Sequence, residues 1–306
     1  MTTLVFGHKS PDTDSTGSPI IWAWYLNEVA GVDAAPALLG EPNTEALFML
    51  DHWKLDKPQI ISGVEADQPV VIVDTNNPAE LPDNINDADI KAIIDHHKLV
   101  GGLETKGPIS ITMEPLACTA TIMYKLIGDD IARMPTNIKG AMLTCILSDT
   151  LEFRSPTTTQ EDKAIAHALA KDLGIDIAEY AAQMFAAKSD VSSFSEAELL
   201  RMDSKEYEVG GKQFRVSVLE TTSPKTVLDR KDALMAAMPG VATQDGADQV
   251  LLFVVDILNE EATMLIPNEL TKSVAEKSFG ATVTGDTVVL PGIMSRKKQI
   301  IPNLKV

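Results

Sequence analysis

Short, almost continuous apolar runs alternating with longer segments of helical spacing constrain this chain more than any other feature. Residues 3–7 (TLVFG), 69–74 (PVVIVD) and 90–95 (IKAIID) are too short for core helices and lack the polar alternation of half-exposed strands. They read as strands covered on both faces. Residues 18–29, 45–53, 118–127, 138–147 and 159–173 carry apolar positions at helical spacing. Strand–helix alternation of this kind predicts an α/β fold, a doubly wound parallel sheet with helices on both faces.

A polar, serine-rich stretch at 188–194 (KSDVSSF) separates two helical segments and marks a domain boundary. The 306 residues suit two domains better than one, so a first domain of 1–187 and a second of 195–306 are expected on either side of this linker. The second reads as a hairpin over 206–219 around Gly210-Gly211, strands at 249–255, 263–266 and 287–290, and helices at 231–238 and 270–277. A smaller α/β or α+β domain with a mixed sheet is expected.

Charge narrows the partners. With 26 Lys and Arg against 44 Asp and Glu, the net charge of −18 repels phosphate backbones and argues against general nucleic-acid binding. A local basic cleft remains able to bind a small anion. The longest apolar run, 250–258, falls far short of the ~20 residues of a membrane span, and Asp256 interrupts it. The start, MTTLVFGHKSPDTDS, has no signal-peptide pattern. Two cysteines, Cys118 and Cys145, make no disulfide framework. A reduced, cytoplasmic setting with no membrane partner is the expectation.

Four segments concentrate metal-ligand residue types: GHKSPDTD with His8, Asp12 and Asp14; VVIVDTNNP with Asp74; AIIDHHK with Asp95, His96 and His97; and LTCILSDT with Asp149. Three follow strands, and the carboxyl ends of strands in a doubly wound sheet open onto one crevice. Singly, each has an ordinary explanation: Asp74 as a turn residue or helix cap, Asp12 and Asp14 as a polar loop. Jointly they favour a metal site. Imidazole with carboxylate suits manganese, cobalt, zinc or iron. Four Asp and two or three His suggest two ions sharing a carboxylate, ~3.5–4 Å apart, with a hydroxide between them aimed at a phosphoryl group. His52 and His167 lie inside helical patterns and read as packing or surface residues, and the cysteines as buried small ones.

In the second domain, SRKKQ (295–299) puts three consecutive cations into an acidic chain. An isolated basic turn is the ordinary reading. The functional one is an anion clamp in which Arg296 gives a bidentate fork and Lys297 a point charge, with Lys205 able to join. No Walker-type phosphate loop occurs.

GHKSPDTDS, VVIVDTN, the Asp95-His96-His97 triplet, SDT at Asp149 and SRKKQ, in that order and over essentially the whole chain, resemble the family II inorganic pyrophosphatases. These are manganese-dependent enzymes of the DHH phosphoesterase superfamily. The resemblance implies two Mn2+ per subunit, with Co2+ or Mg2+ as substitutes. His8, Asp12 and Asp74 would hold one ion, and Asp14, Asp74, His96 and Asp149 the other. It gives His97 a place facing the substrate and Asp95 the orientation of a histidine. Lys205, Arg296 and Lys297 would bind pyrophosphate brought with its own Mg2+ into a cleft between the domains, where the hydroxide held by the two ions attacks phosphorus. A homodimer through the first domain is implied too, and the length leaves no room for a regulatory nucleotide-binding insert. The rivals are an exopolyphosphatase of the same superfamily, a single-strand exonuclease or oligonucleotide phosphatase, whose GGGH motif is missing here, and a non-catalytic metal-binding protein.

Overall fold

A computed structural model describes residues 1–306. The chain divides into two compact units, Met1–Lys188 and Ser189–Val306.

The first unit is built on six strands: β1 (Thr3–Phe6), β2 (Ala34–Leu38), β3 (Gln59–Ile60), β4 (Pro69–Val73), β5 (Asp89–Asp95) and β6 (Ser110–Met113). All neighbours are parallel, in the order β3-β2-β1-β4-β5-β6. Its helices are α1 (Thr13–Glu28), α2 (Thr44–His52), α3 (Thr119–Ile127), α4 (Thr136–Asp149), α5 (Gln160–Leu173) and α6 (Ile177–Lys188). The β4–β5 connection carries two 3₁₀ turns, Pro78–Glu80 and Ile85–Asp87, in place of a helix. Leu81 and Ile85 there pack with Phe6, Val70, Ile72 and Ile90 of the sheet.

Helix α1 begins five residues before the Ser18 expected from spacing. Thr13 through Trp24 are all buried, so no polar face exists to set a period. The structure therefore moves Asp14 out of the expected loop and into the first helical turn.

The second unit comprises α7 (Glu196–Met202), β7 (Ser204–Val209), β8 (Lys212–Thr221), α8 (Pro224–Leu228), α9 (Lys231–Gln244), β9 (Gln249–Asp256), β10 (Glu261–Leu265), α10 (Glu269–Phe279) and β11 (Thr287–Pro291). Its sheet, β11-β10-β9-β8-β7, is mixed: only β8 and β9 are parallel. Gly210 and Gly211, at φ +60° and +77°, turn the β7–β8 hairpin as a primed two-residue turn requires. Strand β9 is buried at every position, and its side chains alternate between two cores. Leu251, Phe253 and Val255 enter one; Val250, Leu252 and Val254 enter the other. The longest apolar run is thus a central strand, and no helix is long and apolar enough to cross a membrane.

Close packing in the first unit gives a test. A methyl added at Gly140 of α4 would lie 2.1 Å from the Trp53 ring, whose Nε1–H donates to Thr144 Oγ1 at 3.1 Å and Tyr180 Oη at 2.8 Å. Gly140→Ala should cost about 1–3 kcal/mol, read as a lower denaturant midpoint at unchanged slope. An unshifted midpoint would mean that this contact relaxes freely.

Candidate metal centre

Strand order reverses between β1 and β4, which is where an open α/β sheet forms a crevice beyond its strand ends. Leu4–Phe6 pair with Val70–Ile72, so His8 and Asp74, each just past its strand, arrive together. His8 Nε2 lies 3.5 Å from Asp74 Oδ2. From the end of β5, His96 Nε2 comes within 3.4 Å of Asp74 Oδ1. Asp74 sits at φ +57°, a left-handed conformation uncommon for a residue with a side chain. Its N–H still donates to the Ile94 carbonyl at 2.9 Å. Strain of this kind persists where the surroundings over-determine it.

Helix ends bring in the other carboxylates. Asp12 caps α1, its Oδ1 accepting the Ser15 N–H at 2.9 Å, while Oδ2 faces His8 Nε2 at 3.7 Å. Asp14 accepts the Ser18 hydroxyl at 2.6 Å and the Thr119 N–H at 2.7 Å. Thr119 also gives its hydroxyl to Asp74 Oδ1 at 3.2 Å. Asp149 is the last residue of α4, which packs against α1. The potential ligand atoms form three overlapping groups, each with all its atoms within 4.8 Å of one another: His8, Asp12 and Asp74; Asp14, His96 and Asp149; and Asp74, His96 and His97.

Asp74 Oδ2 and Asp149 Oδ2 are buried without a hydrogen-bond partner. Burial, followed by the charges of Asp14, Asp12 and Asp95, pushes the Asp74 carboxyl well above the usual range. Burial and the charges of Asp14, Asp74 and Asp12 do the same to Asp149. For Asp12, burial pushes upward, but hydrogen bonds from His8 and Ser15 outweigh it and hold the group below its ordinary value. Crowded carboxylate oxygens facing imidazole nitrogens, two of them lacking any donor, fit a divalent cation of the manganese, cobalt, zinc or iron type.

The histidine rings are fixed from behind. His96 Nδ1 lies 3.1 Å from the Leu116 carbonyl, an arrangement that, with Nδ1 as donor, leaves Nε2 able to bind a metal. Fully buried Asp95 takes the His97 N–H at 3.0 Å, His97 Nδ1 at 2.9 Å and Asn76 Nδ2 at 2.6 Å. Burial raises its pKa, but these bonds prevail and keep Asp95 below the normal range. Asn76 also receives the Val100 N–H at 2.7 Å, which ties down the loop after His97.

In the second unit, Lys205, Arg296 and Lys297 line one cavity of about 530 Å³. Arg296 begins a short π-helical turn, Arg296–Ile300. Of the guanidinium expected from sequence to give the anion a bidentate fork, NH1 and NH2 each donate to Asp203. Outside these places, His52 packs between Trp53 and Tyr180 and His167 against Phe153. Cys118 and Cys145 are buried, and burial with the charges of Asp14 and Asp149 holds both thiols well above their usual pKa. Sequence reading missed Ser18, Asn76, Thr119 and Asp203. Their residue types are common, and only the fold makes them neighbours of the site residues.

Family models for the N-terminal domain of the DHH family and for the DHHA2 domain match residues 2–149 and 182–306. A Deinococcus radiodurans protein named "Probable manganese-dependent inorganic pyrophosphatase" is 39% identical over 306 residues, covering 98% of this chain and 97% of that relative. A Lactiplantibacillus plantarum protein of the same name is 37% identical over 303 residues, with the same coverage. Among solved structures, a Methanococcus jannaschii protein described as a "putative family II inorganic pyrophosphatase" matches at a TM-score of 0.61 and 31% identity, over 99% of this chain and 98% of its own.

The electrostatics make a signed prediction. Asp74 and Asp149 have folded pKa values raised above their unfolded ones. Their contribution to stability without metal is therefore complete below the ordinary carboxyl range and is lost as pH rises through the raised values. A bound cation replaces those protons as counter-charge. The melting-temperature gain from manganese over chelator should widen from about pH 5 to pH 8; a gap independent of pH would contradict the carboxylate account.

Proposed function

Since the chain belongs to the manganese-dependent family II inorganic pyrophosphatases, we propose that it hydrolyses pyrophosphate to two phosphates with two divalent cations held by its first unit. The observation that carries this reading is the convergence of His8, Asp12, Asp14, Asp74, His96 and Asp149 around carboxylate oxygens that lack any donor. His8, Asp12 and Asp74 would hold one cation; Asp14, Asp74, His96 and Asp149 the other, with Asp74 shared. Of the three overlapping groups, one contains His8 and the other two share His96, which supports the count of two. Bound cations of this kind polarise phosphoryl oxygens and make a water-derived nucleophile available at neutral pH.

The chain's own residues supply the rest. Thr119 and Ser18 orient Asp14, and Thr119 steadies Asp74. Asp95 fixes the His97 ring through Nδ1, leaving Nε2 to meet a phosphate oxygen. Lys205, Arg296 and Lys297 neutralise charge on the phosphate that leaves. The substrate in this reading is magnesium pyrophosphate. A homodimer formed through the first unit and a cytoplasmic location belong to the same proposal.

The decisive assay compares phosphate release from pyrophosphate, long polyphosphate, ATP and a short oligonucleotide by the manganese-loaded protein. Pyrophosphate should be cleaved far faster than the others, and preferential cleavage of polyphosphate or the oligonucleotide would reject the assignment. Two substitutions separate the roles. Arg296→Ala should lower turnover by roughly 10²-fold, on the scale of removing one transition-state donor, with manganese affinity intact. His96→Ala should weaken manganese binding by at least about tenfold, measured by calorimetry. Equal loss of metal affinity and turnover in Arg296→Ala would refute the division.

A further inference from the structure

Residues at intervals of two share one face of a strand, and Asp203, Lys205 and Tyr207, just before and along β7, all line the cavity that also holds Arg296 and Lys297. Arg296 does not hang freely there. Its NH1 donates to the Asp203 carbonyl at 2.8 Å and its NH2 to Asp203 Oδ1 at 2.7 Å. That carbonyl also accepts the Val218 N–H at 2.9 Å, so it is a fixed part of the β7–β8 backbone. The turn carrying Arg296 is pinned as well: Gln299 Oε1 accepts the N–H groups of Met294 and Ser295, both at 2.9 Å. The guanidinium is stretched between two rigid anchors.

We propose that Asp203 is a positioning residue for pyrophosphate hydrolysis, holding the Arg296 guanidinium by its NH1/NH2 edge so that its remaining N–H groups meet phosphate. This rests on the reading of Arg296 as a substrate cation. Two effects oppose each other. Fixing a long, rotamer-rich side chain in advance favours binding, whereas a carboxylate beside the anion disfavours it. The Asp203 side chain is 57% exposed and that of Arg296 only 14%. Water and salt therefore screen the carboxylate's repulsion, while the guanidinium has already given up most of its hydration. Ordering dominates.

The test uses the full-length, manganese-loaded protein and four variants: Asp203→Ala, Asp203→Asn, Arg296→Ala and the double variant Asp203→Ala with Arg296→Ala. Asp203→Ala removes the bond to NH2 but keeps the carbonyl bond to NH1, so it should raise KM for pyrophosphate roughly twofold or more, up to the tenfold expected from freeing one such side chain completely, with manganese affinity and melting temperature unchanged. Asp203→Asn keeps an acceptor oxygen of the same shape and should recover most of that loss. In the Arg296→Ala background, removing Asp203 should add nothing, because its effect passes through the guanidinium. A lower KM in Asp203→Ala, or additive effects in the double variant, would overturn the proposal. Altered kinetics in Arg296→Ala beside an unchanged Asp203→Ala would overturn it alone; an unchanged Arg296→Ala would overturn the substrate role of Arg296 as well.

Discussion

Mutual repulsion among Asp12, Asp14, Asp74 and Asp149 is the constraint on which the first unit depends. Two helix N-termini face part of this charge: Asp12 and Asp14 lie at the start of α1, and the first N–H of α3, from Thr119, points at Asp14. Helix N-termini favour anions, which offsets some of the cost. Asp149, at the C-terminal end of α4, has the opposite dipole beside it. Asp74 is reached through a strained backbone and has an oxygen with no donor. A fold selected for stability alone would not gather these groups. A bound cation would offset the repulsion and satisfy the oxygens that lack a donor.

Chemistry is distributed by charge sign. The first unit collects carboxylates and imidazoles at strand and helix ends, whereas the cavity of the second sets Lys205, Arg296 and Lys297 against Asp203 and Glu220, a local excess of cations in a chain of net charge −18. In each place a further residue restrains the one proposed to act. Asp95 holds His97, Thr119 holds Asp14 and Asp74, and Asp203 holds Arg296. Acting groups with locked rotamers lose little freedom on meeting a ligand.

Strands β1, β4 and β9 were readable in the sequence because burial on both faces leaves continuous apolar runs, and β5 because its run is apolar apart from the exposed Lys91. Strand β2 was not: AAPAL is short and rich in alanine, and Pro36 falls inside it. The start of α1 was hidden for the converse reason, since the helix is buried all round from Thr13 to Trp24 and shows no polar stripe there, and Pro19 interrupts the pattern. The residues of the three candidate metal groups all fall in the four segments that stood out in the sequence for their density of Asp and His. Ser18, Asn76 and Thr119 beside them did not stand out. A threonine, a serine or an asparagine has no distinctive signature until the chain brings it beside a carboxylate, and nothing in SRKKQ tells that Asp203, far away in sequence, holds the Arg296 guanidinium.

Anomalous diffraction at the manganese edge, from crystals grown with that ion, would locate the cations against these carboxylates. The account predicts two peaks per chain, ~3.5–4 Å apart, with the Asp74 carboxylate between them and His8 and His96 on different ions. A single peak enclosed by protein ligands on all sides, or manganese bound away from Asp74, would contradict it.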